Sequence, residues 1–75
     1  MKEQIIDIIK KVTGYDELSD DIDLLEEDVI DSLAFIELIT ELEDAFNIEI
    51  QPTQVPGDTW RSIDSIVKLV EEKIN

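Results

Sequence analysis

Apolar residues fall at helical spacing three times along this chain, and the stretches between them are polar or broken by Gly and Pro. From Lys2 to Thr13, Ile5, Ile9 and Val12 share one face with Ile6 and Ile8 beside them, which predicts a first helix. Gly14 follows where helices commonly stop in left-handed backbone. From Gly14 to Asp31, nine acids interrupt Tyr15, Leu18, Ile22, Leu24, Leu25, Val29 and Ile30. These apolar residues keep no steady period, so the segment reads as an ordered loop with a short helical turn, pinned onto a core.

A second helix is predicted from Ser32 to about Phe46. Its expected buried stripe is Leu33, Ile36, Ile39, Leu42 and Phe46, widened by Phe35, Leu38 and Ala45. Pro52, Pro56 and Gly57 then break the chain and leave room from Thr53 to Trp60 for only a short turn or helix. Ser62 is placed to cap a last helix with Asp64 in its first turn, carrying Ile63, Ile66, Val67, Val70 and Ile74 inward. No internal repeat, linker or low-complexity tract divides the chain. The expectation is an all-α fold, one domain over residues 1–75, in the form of a small helical bundle with long connections.

At 75 residues, such a chain buries only about 60% of its unfolded surface, which argues against a deep enzyme pocket. There is no Cys and no His, which excludes Cys/His zinc sites and hydrolytic triads. The first residues carry acids and lack a long apolar run, so neither a signal peptide nor a membrane span is expected. A soluble cytoplasmic protein, not itself an enzyme, is the resulting expectation.

Net charge is −14, and its distribution is uneven: Val12 to Trp60 holds 15 acids and no Lys or Arg, while the two ends share 5 acids and 6 bases. Such a field repels nucleic acid and anionic lipid and attracts basic protein surfaces. Within it, Glu37, Glu41 and Asp44 sit at i, i+4 and i+7 of the second helix, forming either a docking ridge or a plain solvated face. Asp16 to Asp31 is rich in acids but lacks the alternating ligands and central Gly of a calcium loop, so no metal site is expected.

Ser32 opens the second helix directly behind Asp31. A Ser in that place serves as an N-cap, accepting a hydrogen bond from an N–H two or three residues on. A helix N-terminus also favours phosphate, through its free N–H groups and positive dipole end, so a phosphodiester on Ser32 would sit in a suitable field.

The residues Asp31-Ser32-Leu33-Ala34-Phe35-Ile36-Glu37-Leu38, followed by Leu42-Glu43-Asp44-Ala45-Phe46-Asn47-Ile48-Glu49-Ile50, resemble the phosphopantetheine-bearing acyl carrier proteins. That resemblance covers nearly the whole chain. It implies a four-helix bundle of three main helices and one short one, with 4′-phosphopantetheine moved from coenzyme A onto Ser32 by a separate phosphopantetheinyl transferase. It makes Asp31 the acidic neighbour that helps the transferase and its metal find the serine, and Leu33 part of the same attachment motif. It also makes Glu37, Glu41 and Asp44 the docking ridge for the transferase and for cargo-activating ligases or acyltransferases with basic surfaces. The prosthetic thiol would carry cargo as a thioester, supplying the sulfur that a chain without Cys lacks. A monomer is expected.

Fatty-acid carriers usually have Gly two residues before the Asp and an acid after the Leu; here Val29-Ile30 precede Asp31 and Ala34 follows Leu33. Both features look more like the D-alanyl carrier proteins of teichoic acid modification, although those more often have Phe or Met where Leu33 stands. Trp60-Arg61-Ser62 resembles the tryptophan ahead of the last helix in the same group; equally, Trp60 fits a packing role. D-alanine is thus the expected cargo, with a fatty or polyketide acyl chain as the alternative. An unmodified acidic module that binds a basic partner is the reading from another class.

Overall fold

The computed structural model describes residues 1–74; Asn75, the last residue of the expected domain, lies outside the described residues. Three α-helices, α1 (Lys2–Thr13), α2 (Ser32–Phe46) and α3 (Ile63–Ile74), account for most of the regular structure. Two 3₁₀ turns, Pro52–Gln54 and Gly57–Arg61, lie between α2 and α3, and no strand occurs among the described residues. The second turn packs against α3 and stands as the short fourth helix. This is the expected all-α, acyl carrier-type bundle.

Local chemistry sets each boundary. Gly14 adopts left-handed backbone at φ 79° and its N–H donates to the Lys10 carbonyl, closing α1. Asn47 does the same for α2, with φ 54° and an N–H to the Glu43 carbonyl, while the Glu43 carboxylate accepts from the Ile50 N–H at 2.9 Å. The Ser62 hydroxyl accepts from the Ser65 N–H at 3.1 Å, capping α3 as its position predicts.

Ile5 and Ile9 of α1 meet Leu38 and Leu42 of α2 and Ile63, Ile66 and Val70 of α3 in one core, all seven without solvent contact. Leu24, Val29 and Ile30 of the long loop are buried in the same cluster, which is why a nine-acid segment is ordered at all. Leu24 is the knot of that loop: its N–H donates to the Arg61 carbonyl at 2.7 Å, and its carbonyl accepts from Val29 and Ile30. Asp23 to Asp28 forms the expected short turn, with the Glu27 N–H on the Asp23 carbonyl.

Four expectations need correction. The stripe of α2 is rotated: Ala34, Leu38, Ile39 and Leu42 are buried, whereas Leu33 is 67% and Ile36 62% exposed. At about 100° per residue, Leu33 and Ile36 stand some 140–160° round the helix from Leu38. Only one stripe can face both α1 and α3, and the small Ala34 belongs to that stripe. Ala45 is exposed near the end of α2, as is Ile74 at the end of α3, where no element among the described residues covers them. Tyr15 is likewise exposed, at 41%, beside the α1 cap, while the buried Leu69 joins the core unannounced.

Candidate functional site

The site grows from the bend where the long loop enters α2. Asp31 sits in extended backbone at φ −95° and ψ −175°, and its carboxylate accepts from the Ala34 N–H at 2.8 Å. The N-cap is therefore Asp31 and not Ser32, a correction to the capping reading of the serine. An ionised carboxylate suits the positive end of the helix dipole better than a hydroxyl, and one residue can occupy the cap. Ser32 moves to the first helical position, exposed, with its hydroxyl spared from the cap.

Beside Ser32 opens a cleft of about 440 Å³ lined by Leu25, Ile30, Asp31, Ser32, Phe35, Ile36, Gly57 and Trp60. Its deep wall is an aromatic pair: the Phe35 and Trp60 rings meet edge to face, 5.1 Å between centroids and 88° between planes. Trp60 is buried, so it does pack, and the surface it packs is the cleft wall. Mostly apolar walls next to an exposed hydroxyl at a helix N-terminus form a place where a phosphodiester meets water while a flexible arm lies against carbon. The residues present thus fit a phosphopantetheine attachment.

Glu37 and Asp44 are exposed along α2, on the side of the helix that neighbours Leu33. Glu41 is half-buried, and the Lys11 ammonium donates to its carboxylate at 2.7 Å, which raises the Lys11 pKa above its ordinary value. The three acids therefore share a face but not a state: a base from α1 already answers the middle one. A second groove, about 280 Å³, runs along this face between Lys11, Val12, Ile36, Glu37, Thr40 and Glu41. The sequence reading missed Ile36 as a surface residue and Phe35 as a cleft wall; a helical wheel centred on Leu38 separates them. No group of acids among the described residues is arranged to hold a metal ion, and no helix among them is long and apolar enough to cross a membrane.

Residues 3–70 match the family described as "Phosphopantetheine attachment site". The chain is 45% identical over 75 residues to a D-alanyl carrier protein of Lactococcus lactis subsp. lactis, covering 97% of this chain and 95% of that one. A D-alanyl carrier protein of Leuconostoc mesenteroides is 37% identical over 99% and 96% of the two chains, and one of Bacillus cereus 32% identical over 95% and 92%. Matches spanning almost the full length on both sides lead to one assignment: the chain belongs to the phosphopantetheine-attachment family of acyl carrier-type proteins, which bear 4′-phosphopantetheine covalently.

Proposed function

We propose that residues 1–75 form one carrier domain in which Ser32 bears the 4′-phosphopantetheine, and that the cargo on its thiol is D-alanine destined for teichoic acid. The observation that carries the attachment reading is the division of labour at the start of α2. Asp31 takes the cap, so the neighbouring hydroxyl is spared from capping and exposed beside an apolar cleft. In the transfer, the Ser32 oxygen bonds to the pantetheine-side phosphorus of coenzyme A, the pyrophosphate P–O bond breaks, adenosine 3′,5′-bisphosphate leaves, and the hydroxyl proton passes to a base of the transferase or to water. The group when bound supplies a thiol able to hold an acyl or aminoacyl thioester.

This chain contributes position and recognition rather than bond-making, so we assign it no catalytic turnover of its own. Asp31 holds the helix start and offers a carboxylate to the transferase and its metal; Leu33 and Ile36 give an apolar contact area; Glu37 and Asp44 give the charge. Glu41 joins that ridge only when a partner competes with Lys11. Because the modification draws on coenzyme A, we assign the carrier to the cytoplasm, acting with a transferase and a D-alanine-activating ligase that have basic surfaces. The D-alanyl reading is supported by the names of the relatives, by Val29-Ile30 ahead of Asp31 and Ala34 behind Leu33, and by Trp60 ahead of α3.

The test is a loading assay. Intact mass after incubation with coenzyme A and a transferase should show one added group, and a D-alanine-activating ligase should then charge the holo protein. Charging by a fatty-acyl ligase in preference to D-alanine would replace the cargo. Absence of any addition would leave an acidic protein-binding module.

A further inference from the structure

Arg61 is the first base after a run from Val12 to Trp60 that contains none, and it does not point into that field at random. Its guanidinium donates to Asp23 at 2.8 Å through Nη1 and approaches Asp58 at 3.4 Å through Nε. Asp23 uses its other carboxylate oxygen to accept from the Leu25 and Glu26 N–H groups at 3.1 and 2.8 Å. Next to this pair runs a backbone link, Leu24 N–H to Arg61 carbonyl, and the Leu24 carbonyl in turn holds the N–H groups of Val29 and Ile30. Ile30 leads straight into Asp31 and Ser32, and Arg61 directly follows Trp60. One continuous set of bonds therefore joins the segment ahead of the serine to the turn that carries the aromatic wall of the cleft.

We propose that Asp23 and Arg61 are positioning residues for the attachment serine: their ion pair locks the Leu24 knot and so sets Ser32 against the Trp60 wall. The inference rests on Ser32 being the attachment point. Both side chains are partly exposed, 28% for Asp23 and 46% for Arg61, and pairs of that kind add little to global stability. The core of α1, α2 and α3 does not need this one. What the pair does constrain is a distance, because the loop and the turn it joins are 38 residues apart in sequence and both contribute residues to the cleft lining, Leu25 and Ile30 from the loop and Gly57 and Trp60 from the turn. Misplacement of a reacting group by a small distance costs rate far more than it costs stability.

Asp23→Asn keeps an acceptor oxygen for the Leu25 and Glu26 N–H groups and removes the charge; Arg61→Gln keeps the backbone carbonyl that holds Leu24. Initial rates of phosphopantetheine transfer should be measured for both, for the double variant and for Arg61→Lys, at increasing carrier concentration and at a temperature where all are folded by circular dichroism. Each neutral variant should lower kcat/KM by about threefold to tenfold, mainly through kcat, because the hydroxyl is misaligned inside a complex that still forms. The double variant should be no worse than the worse single, as expected of one interaction, and Arg61→Lys should recover part of the rate. Trp60, the single Trp of the chain, should emit further to the red and be more readily quenched by acrylamide in the neutral variants. Wild-type rates with unchanged Trp60 emission would overturn the inference, even if melting temperatures fell. So would a loss confined to KM that vanishes in salt, which is the signature of long-range charge. Ser32→Ala is measured in parallel: modification persisting there would remove the Ser32 reading and this inference with it. A Ser32→Ala that takes up no group, beside wild-type rates in the Asp23 and Arg61 variants, would remove the inference alone.

Discussion

Leu38 and Leu42 of α2 are fully buried, whereas Leu33 and Ile36 on the same helix stand mostly in water. All four are aliphatic, and all four lie within three turns. The difference is not hydrophobicity but what each one faces: α1 and α3 on one side, mostly solvent on the other. Exposed aliphatics scattered over a surface need no explanation. Here both flank the one exposed hydroxyl at the head of α2 and adjoin its acids, a combination that pairs contact area with long-range attraction. The inner face holds the fold together, and the outer face is free to be spent on partners.

The strongest way to break this division is at Ser32. Ser32→Ala should abolish the addition of phosphopantetheine, about 340 Da by its chemical formula, while circular dichroism stays that of the wild type. Mass gained in that variant, or on Ser19, Ser62 or Ser65, would end the assignment.

Next come the two aliphatic sets, compared directly. Leu38→Ala or Leu42→Ala should cost about 2–5 kcal/mol by chemical denaturation, a large part of the roughly 5–15 kcal/mol that folded domains possess. Leu33→Ala and Ile36→Ala should stay within about 0.5 kcal/mol of the wild type yet slow phosphopantetheine transfer. Equal stability losses in the two sets would mean that the outer residues belong to the core.

Asp31 separates capping from charge. Asp31→Ala should lose about 1 kcal/mol as the cap goes, while Asp31→Asn keeps an acceptor for the Ala34 N–H and most of that stability. A transfer rate that falls in both variants isolates the carboxylate's role toward the transferase; a rate that falls only with Ala makes Asp31 a cap and nothing more.

Along the acidic ridge, Glu37→Gln and Asp44→Asn should lower the association rate with the transferase at low salt and much less at high salt. Glu41→Gln should have a smaller effect, because Lys11 already engages that carboxylate. Glu3→Gln or Glu72→Gln supplies the comparison with general charge, and equal effects there would reduce the ridge to part of a uniform field.

The smallest effect is pH-dependent. Asp23 is held below the ordinary aspartate range, first by the Glu26 N–H and then by Arg61. Lowered in the folded state, it contributes stability that is present above the unfolded pKa and lost as pH falls through the folded one, below about pH 4. Asp23→Asn should lower stability slightly at neutral pH, where the ionised carboxylate contributes, and the difference from the wild type should close as pH falls through that range, flattening the acid limb of the unfolding curve.

Much of this molecule is legible in its sequence because its cues are local. Gly14 ends α1, Ser62 caps α3 and Phe46 closes α2 where period and turn residues put them, since caps and stops depend on a few adjacent dihedrals. The candidate serine was legible for the same reason: an acid followed by a hydroxyl at a helix start is a short-range pattern. Which of the two residues caps was not legible, because both can accept the same N–H and the choice rests on the backbone angle at the bend.

The amino-acid sequence by itself determined the helical class, the element boundaries, the acidic field and the candidate attachment motif, all set by spacing and by charge that no folding can remove. Tertiary structure alone decided which stripe of α2 faces inward, since apolar residues occur nearly all round its first two turns and only contact with α1 and α3 selects among them. It also decided that Trp60 and Phe35 meet beside Ser32, and that Arg61 reaches back to Asp23. Those pairs join residues 25 and 38 positions apart, a separation across which no local propensity carries information; only the shared core brings them within reach.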